Sequence, residues 1–130
     1  MLIDQNFKNW IEGLSNNYQQ AQRKTMLAIN KELINSLYVL GREISRFSKL
    51  KEDIIPEVSK ELIKITDKKI MFSETNLRFC VSFYKLYKDA IKEEFELIEM
   101  IPWSTHITIL DSCKSKNDAI KKIKSILGVE

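Results

Sequence analysis

Apolar residues Met26, Ile29, Leu33, Leu37, Leu40, Ile44 and Phe47 follow one another at steps of three and four. Leu27, Ile34, Tyr38 and Gly41 lie beside them. A period near 3.6 places all of these side chains on one broad face, so residues 18–47 are predicted to form one long amphipathic helix. The mean step is close to 3.5, which also suits the seam of a helix pair or coiled coil. The simpler outcome is a long helix that packs on its own domain. Gly41 inside such a helix costs about 1 kcal/mol relative to Ala, and its position suggests that another element approaches there.

Only 3 Gly and 2 Pro occur in 130 residues, so few turns are signalled and helices are favoured over short strands. The expected fold class is all-α, a compact helical domain spanning residues 1–130 with a long N-terminal helix. The length suits one domain with a real core. A hydrophobic fraction of 44% beside 30% charged residues is that of a globular chain rather than a disordered one. No apolar run is long enough for a transmembrane segment. Cys80 and Cys113 are far apart and lack metal-site spacing. They read as reduced thiols, and a cytoplasmic location is expected.

Further elements follow on both sides of the long helix. Phe7, Trp10, Ile11 and Leu14 predict a short helix over residues 4–15, with a weak point at Gly13 and at Ser15, Asn16 and Asn17. Residues 49–53 read as a charged loop, with Asp53 capping a helix over residues 54–65 that carries Pro56 in its first turn. Ile55, Val58, Leu62 and Ile65 are expected to face inward. Ser73 is a good N-cap, and Phe72 and Leu77 suit a hydrophobic staple. The helix that follows is apolar on most sides, leaving one polar strip of Thr75, Arg78, Ser82, Lys85 and Asp89. An acidic connection over residues 93–99 leads to Pro102, which can open another helix with Ile107 and Leu110 inward. Ser115 and Gly128 bracket a last short helix. Trp10 and Trp103 are expected to anchor the core.

Catalytic chemistry is hard to find. The single histidine, His106, beside Trp103, reads as a packed, hydrogen-bonded residue. There is no nucleophile elbow and no phosphate-cradling glycine loop. The acids are scattered, so no metal or other cofactor is expected. Asp67, Lys68 and Lys69 fit only the acid-x-Lys end of a nuclease motif. Nucleic-acid binding finds more support. The formal net charge is +3, and basic residues cluster over residues 46–88 and again at Lys114, Lys116, Lys121, Lys122 and Lys124. The helices at residues 54–65 and 73–90, joined by a short turn, fit a helix-turn-helix. In that reading Arg78 reaches a guanine edge or a phosphate, and Thr75, Asn76 and Ser82 contact bases or backbone. Lys85, Lys64, Lys68 and Lys69 neutralise phosphates. The plainer alternative is a helical hairpin with a solvated ridge.

Four blocks in order resemble the N-terminal domain of the YhcG family. Asn30, then Leu37-Tyr38-Val39-Leu40-Gly41-Arg42-Glu43-Ile44, is similar to its "N…YW.IG..I" segment. Val58-Ser59-Lys60-Glu61-Leu62 is similar to its "LS..L". Phe72-Ser73-Glu74-Thr75-Asn76-Leu77-Arg78, followed by Phe83-Tyr84, is similar to its "FS..NLR…FY". Pro102-Trp103-Ser104-Thr105-His106, followed by Leu110, is similar to its "PW..H…L". The likeness covers about residues 18–112, with Val39 in place of the usual aromatic and Met71 in place of the usual glycine. It implies a helix-turn-helix-like, DNA-binding domain of bacterial proteins linked with restriction or defence, usually followed by a PD-(D/E)XK nuclease domain. The expected function is thus non-catalytic recruitment of DNA, or RNA, for a nuclease on the same or a partner chain. The alternative is a protein-interaction module that forms a homodimer through the long helix.

Overall fold

A computed structural model of the chain describes residues 4–48 and 53–130. Most of the expected charged loop at residues 49–53 lies outside them. Among the described residues there are six helices and no strand: α1 (Gln5–Ser48), α2 (Ile55–Thr66), α3 (Glu74–Tyr87), α4 (Lys92–Ile98), α5 (Trp103–Ser112) and α6 (Lys116–Leu127). The fold class is all-α, as the sparse turn residues imply.

The two N-terminal segments expected from the sequence are one helix. α1 runs without a break through Gly13 and Asn17, because single poor helix formers lower propensity without forbidding the helical backbone. Only its C-terminal half enters the core, through Ile34, Leu37, Gly41 and Ile44. Trp10 is not a core anchor: it is 59% exposed, and Ile11, Leu14 and Tyr18 are exposed with it.

α3 is the central element. Leu77, Cys80, Phe83 and Tyr87 are buried along it, with α1, α2 and α5 against it. Gly41 is where α1 and α3 cross. A Cβ there would strike the Cys80 carbonyl oxygen and lie 2.5 Å from its carbon. This is the close approach that the glycine suggests, and only a residue without a Cβ permits it. Phe83 then becomes the hub of an aromatic cluster. Tyr87, Trp103 and His106 surround it with ring centroids at 5.1, 5.2 and 4.9 Å, in edge-to-face arrangements that suit the ring quadrupoles. Tyr38 of α1 closes the cluster, edge-on to Phe83 and to Phe95 of α4.

Side-chain hydrogen bonds fasten the helices to one another. Asn30 Nδ2 donates to the Glu99 and Ile101 carbonyls at 2.8 and 3.1 Å, tying α1 to the corner between α4 and α5. Ser59 Oγ donates to the Phe72 carbonyl at 2.6 Å, setting the α2–α3 turn. The N-cap roles of Ser73 and Ser115 hold, each accepting the backbone N–H three residues on, and Gly128 ends α6 in the left-handed region. Three expectations fail. α4 replaces the acidic connection, with Glu94 accepting the Ile91 N–H at 3.0 Å. Ile65 is 78% exposed, since α2 rests on α3 mainly through its first two turns. In α5 it is His106 and Ile109 that are buried; Leu110 packs against the core as expected, and Ile107 stays at the edge.

Replacing Gly41 by Ala forces the α1–α3 crossing apart. Because the obstacle is backbone, the expected cost is about 3 kcal/mol or more, at the upper end of overpacking effects. Urea denaturation should show a lowered midpoint, and an unchanged midpoint would contradict the crossing described.

Candidate nucleic-acid interface

α3 is buried on most sides and leaves one edge in solvent. Thr75, Arg78, Ser82 and Lys85 are exposed along it, at steps of three and four that place them in one row. The row begins at the N-terminus of α3, which Ser73 caps.

Arg78 is about half exposed and donates to Asp53 Oδ2 at 2.7 Å. Asp53 also accepts the Ile55 N–H at 3.1 Å through Oδ1, so it satisfies the start of α2 and holds the guanidinium with the same carboxylate. The Arg78 hydrogen bond, then the Ile55 N–H, keep the Asp53 carboxyl below its usual range, and the same pairing raises Arg78. Exposed pairs of this kind exchange readily with other charged partners. A shallow groove between the end of α1 and α3 is lined by Ser45, Ser48, Asp53, Arg78, Ser82 and Lys85. On the other side of the ridge, Ser82 and Lys85 share a second groove with Cys113, Lys114 and Lys116.

Asn76 does not belong to the exposed row. Its Nδ2 donates to the Met71 carbonyl at 2.6 Å, and its Oδ1 accepts the Trp103 indole N–H at 2.8 Å. Both ends of the amide are engaged within the chain, so Asn76 is a fastener between α3, α5 and the preceding turn rather than a contact residue. Lys64 sits in the last turn of α2. Lys68 and Lys69 are exposed in the α2–α3 turn, where they line a separate depression with Asp67, Ile70 and Met71. The structure therefore gathers Arg78, Ser82 and Lys85 and leaves Lys64, Lys68 and Lys69 apart from them.

Lys114 and Lys116 are the residues that sequence reading did not attach to this site. Their signal was the basic C-terminal run, but which lysines meet Lys85 depends on the turn between α5 and α6. Lys116 is half-buried and paired with Glu94 at 3.1 Å. Among the described residues, Lys85 and Lys114 have no carboxylate within ion-pair distance.

The model of the DUF1016 N-terminal domain family matches residues 13–120. The chain belongs to that family. It is the family whose four blocks the sequence resembles. No curated protein and no solved structure matches the chain. In this DUF1016 N-terminal domain the block residues Asn30, Gly41, Ser59, Ser73, Asn76 and Trp103 all sit at helix caps, crossings or fastenings.

His106 belongs to the same framework. It is fully buried, and its Nε2 lies 2.8 Å from the Ile98 carbonyl. A carbonyl only accepts, so Nε2 carries the proton and Nδ1 is bare; Nδ1 has no partner among the described residues. Burial holds the imidazole down at about 4, against the contrary pull of the Ile98 hydrogen bond. Burial also pushes the Cys80 thiol up to about 12, which keeps it an unreactive core residue. Among the described residues, no three His, Cys, Asp or Glu side chains are placed to hold a metal ion. No helix among them is long and apolar enough to cross a membrane.

The depressed His106 value has a direct consequence for stability. The unfolded chain takes up the proton near 6.5 and the folded chain only near 4. The contribution is fully present above pH 6.5 and is lost as pH falls toward 4, by at most about 1.4 kcal/mol per pH unit. Replacing His106 by Gln, which keeps an N–H for the Ile98 carbonyl, should flatten stability across that window in denaturant titrations at stepped pH. The carboxylates Asp53 and Glu94, both held low, lose their contribution as pH falls through their ordinary values of 3.8 and 4.5 and below, so they act at the acid end of this window and beyond it.

Proposed function

We propose that this domain is a non-catalytic DNA-binding module whose contact surface is the exposed edge of α3. The observation that carries the reading is the row of Thr75, Arg78, Ser82 and Lys85 on a helix otherwise sunk in the core. A rigid helix showing one hydrophilic edge can enter a major groove without deforming the domain that holds it. Arg78 supplies a planar donor fork for a guanine edge or a phosphate, and Lys85 with Lys114 supplies point charges for phosphates on the flank. Ser45 on α1 adds a neutral hydroxyl beside the groove, while the Ser48 hydroxyl already donates to the Ile44 carbonyl at 2.8 Å.

Nothing in this constellation performs bond cleavage. The domain would hold nucleic acid for a nuclease carried on the same polypeptide or on a partner subunit, as the family resemblance implies. Backbone contacts of this type serve RNA as well as DNA, and the base-reading position of Arg78 favours duplex DNA.

Fluorescence anisotropy with a labelled duplex tests the reading. Affinity should fall with salt, the logarithmic slope steepening by about 0.9 for each phosphate neutralised. Arg78→Ala combined with Lys85→Ala should weaken binding at least about tenfold at low salt and flatten the slope by one to two such contacts, with the thermal midpoint little changed. Asp53→Asn keeps an oxygen for the Ile55 N–H but releases Arg78, so duplex affinity should rise. Binding that ignores both salt and these substitutions would dispose of the α3 surface.

A further inference from the structure

We infer that this chain self-associates through the N-terminal half of α1, which pairs with the same stretch of a second copy. Phe7, Ile11, Leu14, Tyr18 and Ala21 follow at alternating steps of four and three, and the period runs on for one more heptad through Thr25 and Ala28. That is the spacing of a two-helix seam. Ile11, Leu14 and Tyr18 are 44%, 48% and 70% exposed, and Trp10 beside them is 59% exposed.

The stripe is not a continuation of the core face. Its register would next place Glu32 and Asn35 in the seam, and neither is buried. The residues buried against the domain's own helices, Ile34, Leu37, Gly41 and Ile44, keep a different phase, rotated by roughly a third of a turn. The domain's own core therefore covers one side of α1, and the N-terminal stripe points elsewhere.

Helix energetics also calls for a partner. Residues 13–22 contain Gly13, Ser15, Asn16 and Asn17 and no charged residue. Isolated helices of this composition are marginal in water, because propensity alone does not offset nucleation and backbone ordering. α1 is nonetheless helical throughout this stretch. The docked C-terminal half of the same helix supplies its nucleus, and burial of the apolar stripe would add the stabilisation that weak propensity leaves out.

The chemistry of the stretch selects a second copy over a charged partner. With no ionic group over ten residues, like meets like without repulsion, and an acidic or basic ligand finds nothing to pair with. Pairing about 25 residues of two helices over roughly 36 Å would bury on the order of 1,200 Å2 in total, at the lower edge of what specific, stable interfaces bury. The seam also excludes α3, so both copies of the polar edge stay free in the dimer.

Sedimentation equilibrium of the whole chain tests this. The expected mass is about twice the monomer value of 15.3 kDa, dissociating on dilution as mass action requires. Ile11→Glu with Leu14→Glu should return the monomer mass and reduce the helical circular dichroism, with the near-ultraviolet signal of the Phe83 cluster retained because neither residue touches it. As a control on register, Glu32→Lys should leave the dimer intact. Trp10 fluorescence should shift to the red on dissociation in the unmodified chain. A monomer at all concentrations overturns the inference, and so does a dimer that survives the double substitution. Neither result bears on duplex binding by α3.

Discussion

The structure depends on two helices crossing at a point where one of them has no side chain. At Gly41 the backbone of α1 meets the Cys80 carbonyl of α3 so closely that a single Cβ would not fit. The crossing sets how deeply α3 sinks. From it follow the burial of Leu77, Cys80, Phe83 and Tyr87, the aromatic cluster around Phe83, and the placing of Thr75, Arg78, Ser82 and Lys85 on one solvent edge of α3. The cost of a glycine inside a helix, about 1 kcal/mol, is offset by close packing of two apolar faces over several turns.

Around that crossing, hydrogen bonds between side chains and backbone choose the arrangement of the remaining helices. Asn30, Ser59, Asn76 and His106 each reach a main-chain carbonyl on another element or at its corner, and Asn76 also receives the Trp103 indole. Carbonyls at helix ends lack intrahelical partners, so a buried donor aimed at one satisfies two needs at once. These same residues mark the family resemblance. The block residues Asn30, Ser59, Asn76 and Trp103 serve the scaffold, while Ser82 and Lys85, which lie outside the blocks, sit on the solvent edge of α3.

The electrostatic organisation is consistent with that division. Paired charges mostly stitch the scaffold: Lys116 with Glu94, and Asp53 with Arg78 at the mouth of α2. Lys85 and Lys114, which among the described residues are in no ion pair, flank the α3 edge. Arg78 is held in place rather than hidden, and in the proposed interface a phosphate or base edge would compete with the one exposed carboxylate of Asp53.

The sequence by itself determined the helix content, most helix ends and the periodic faces. Ser73, Ser115, Pro102 and Gly128 announce their caps through local chemistry that needs no tertiary contact. Gly41 announced a close approach, and the polar strip of α3 was legible because Thr75, Arg78, Ser82 and Lys85 share one side of a helix by spacing alone. Tertiary structure decided what spacing leaves open. It turned Asn76 inward to Met71 and Trp103, brought Lys114 beside Lys85 across a corner whose angle no local pattern fixes, and joined the first two segments into one helix. It also left Trp10 in solvent, since hydrophobicity says that a side chain seeks burial and only the packing of the whole chain says whether a partner surface is within reach.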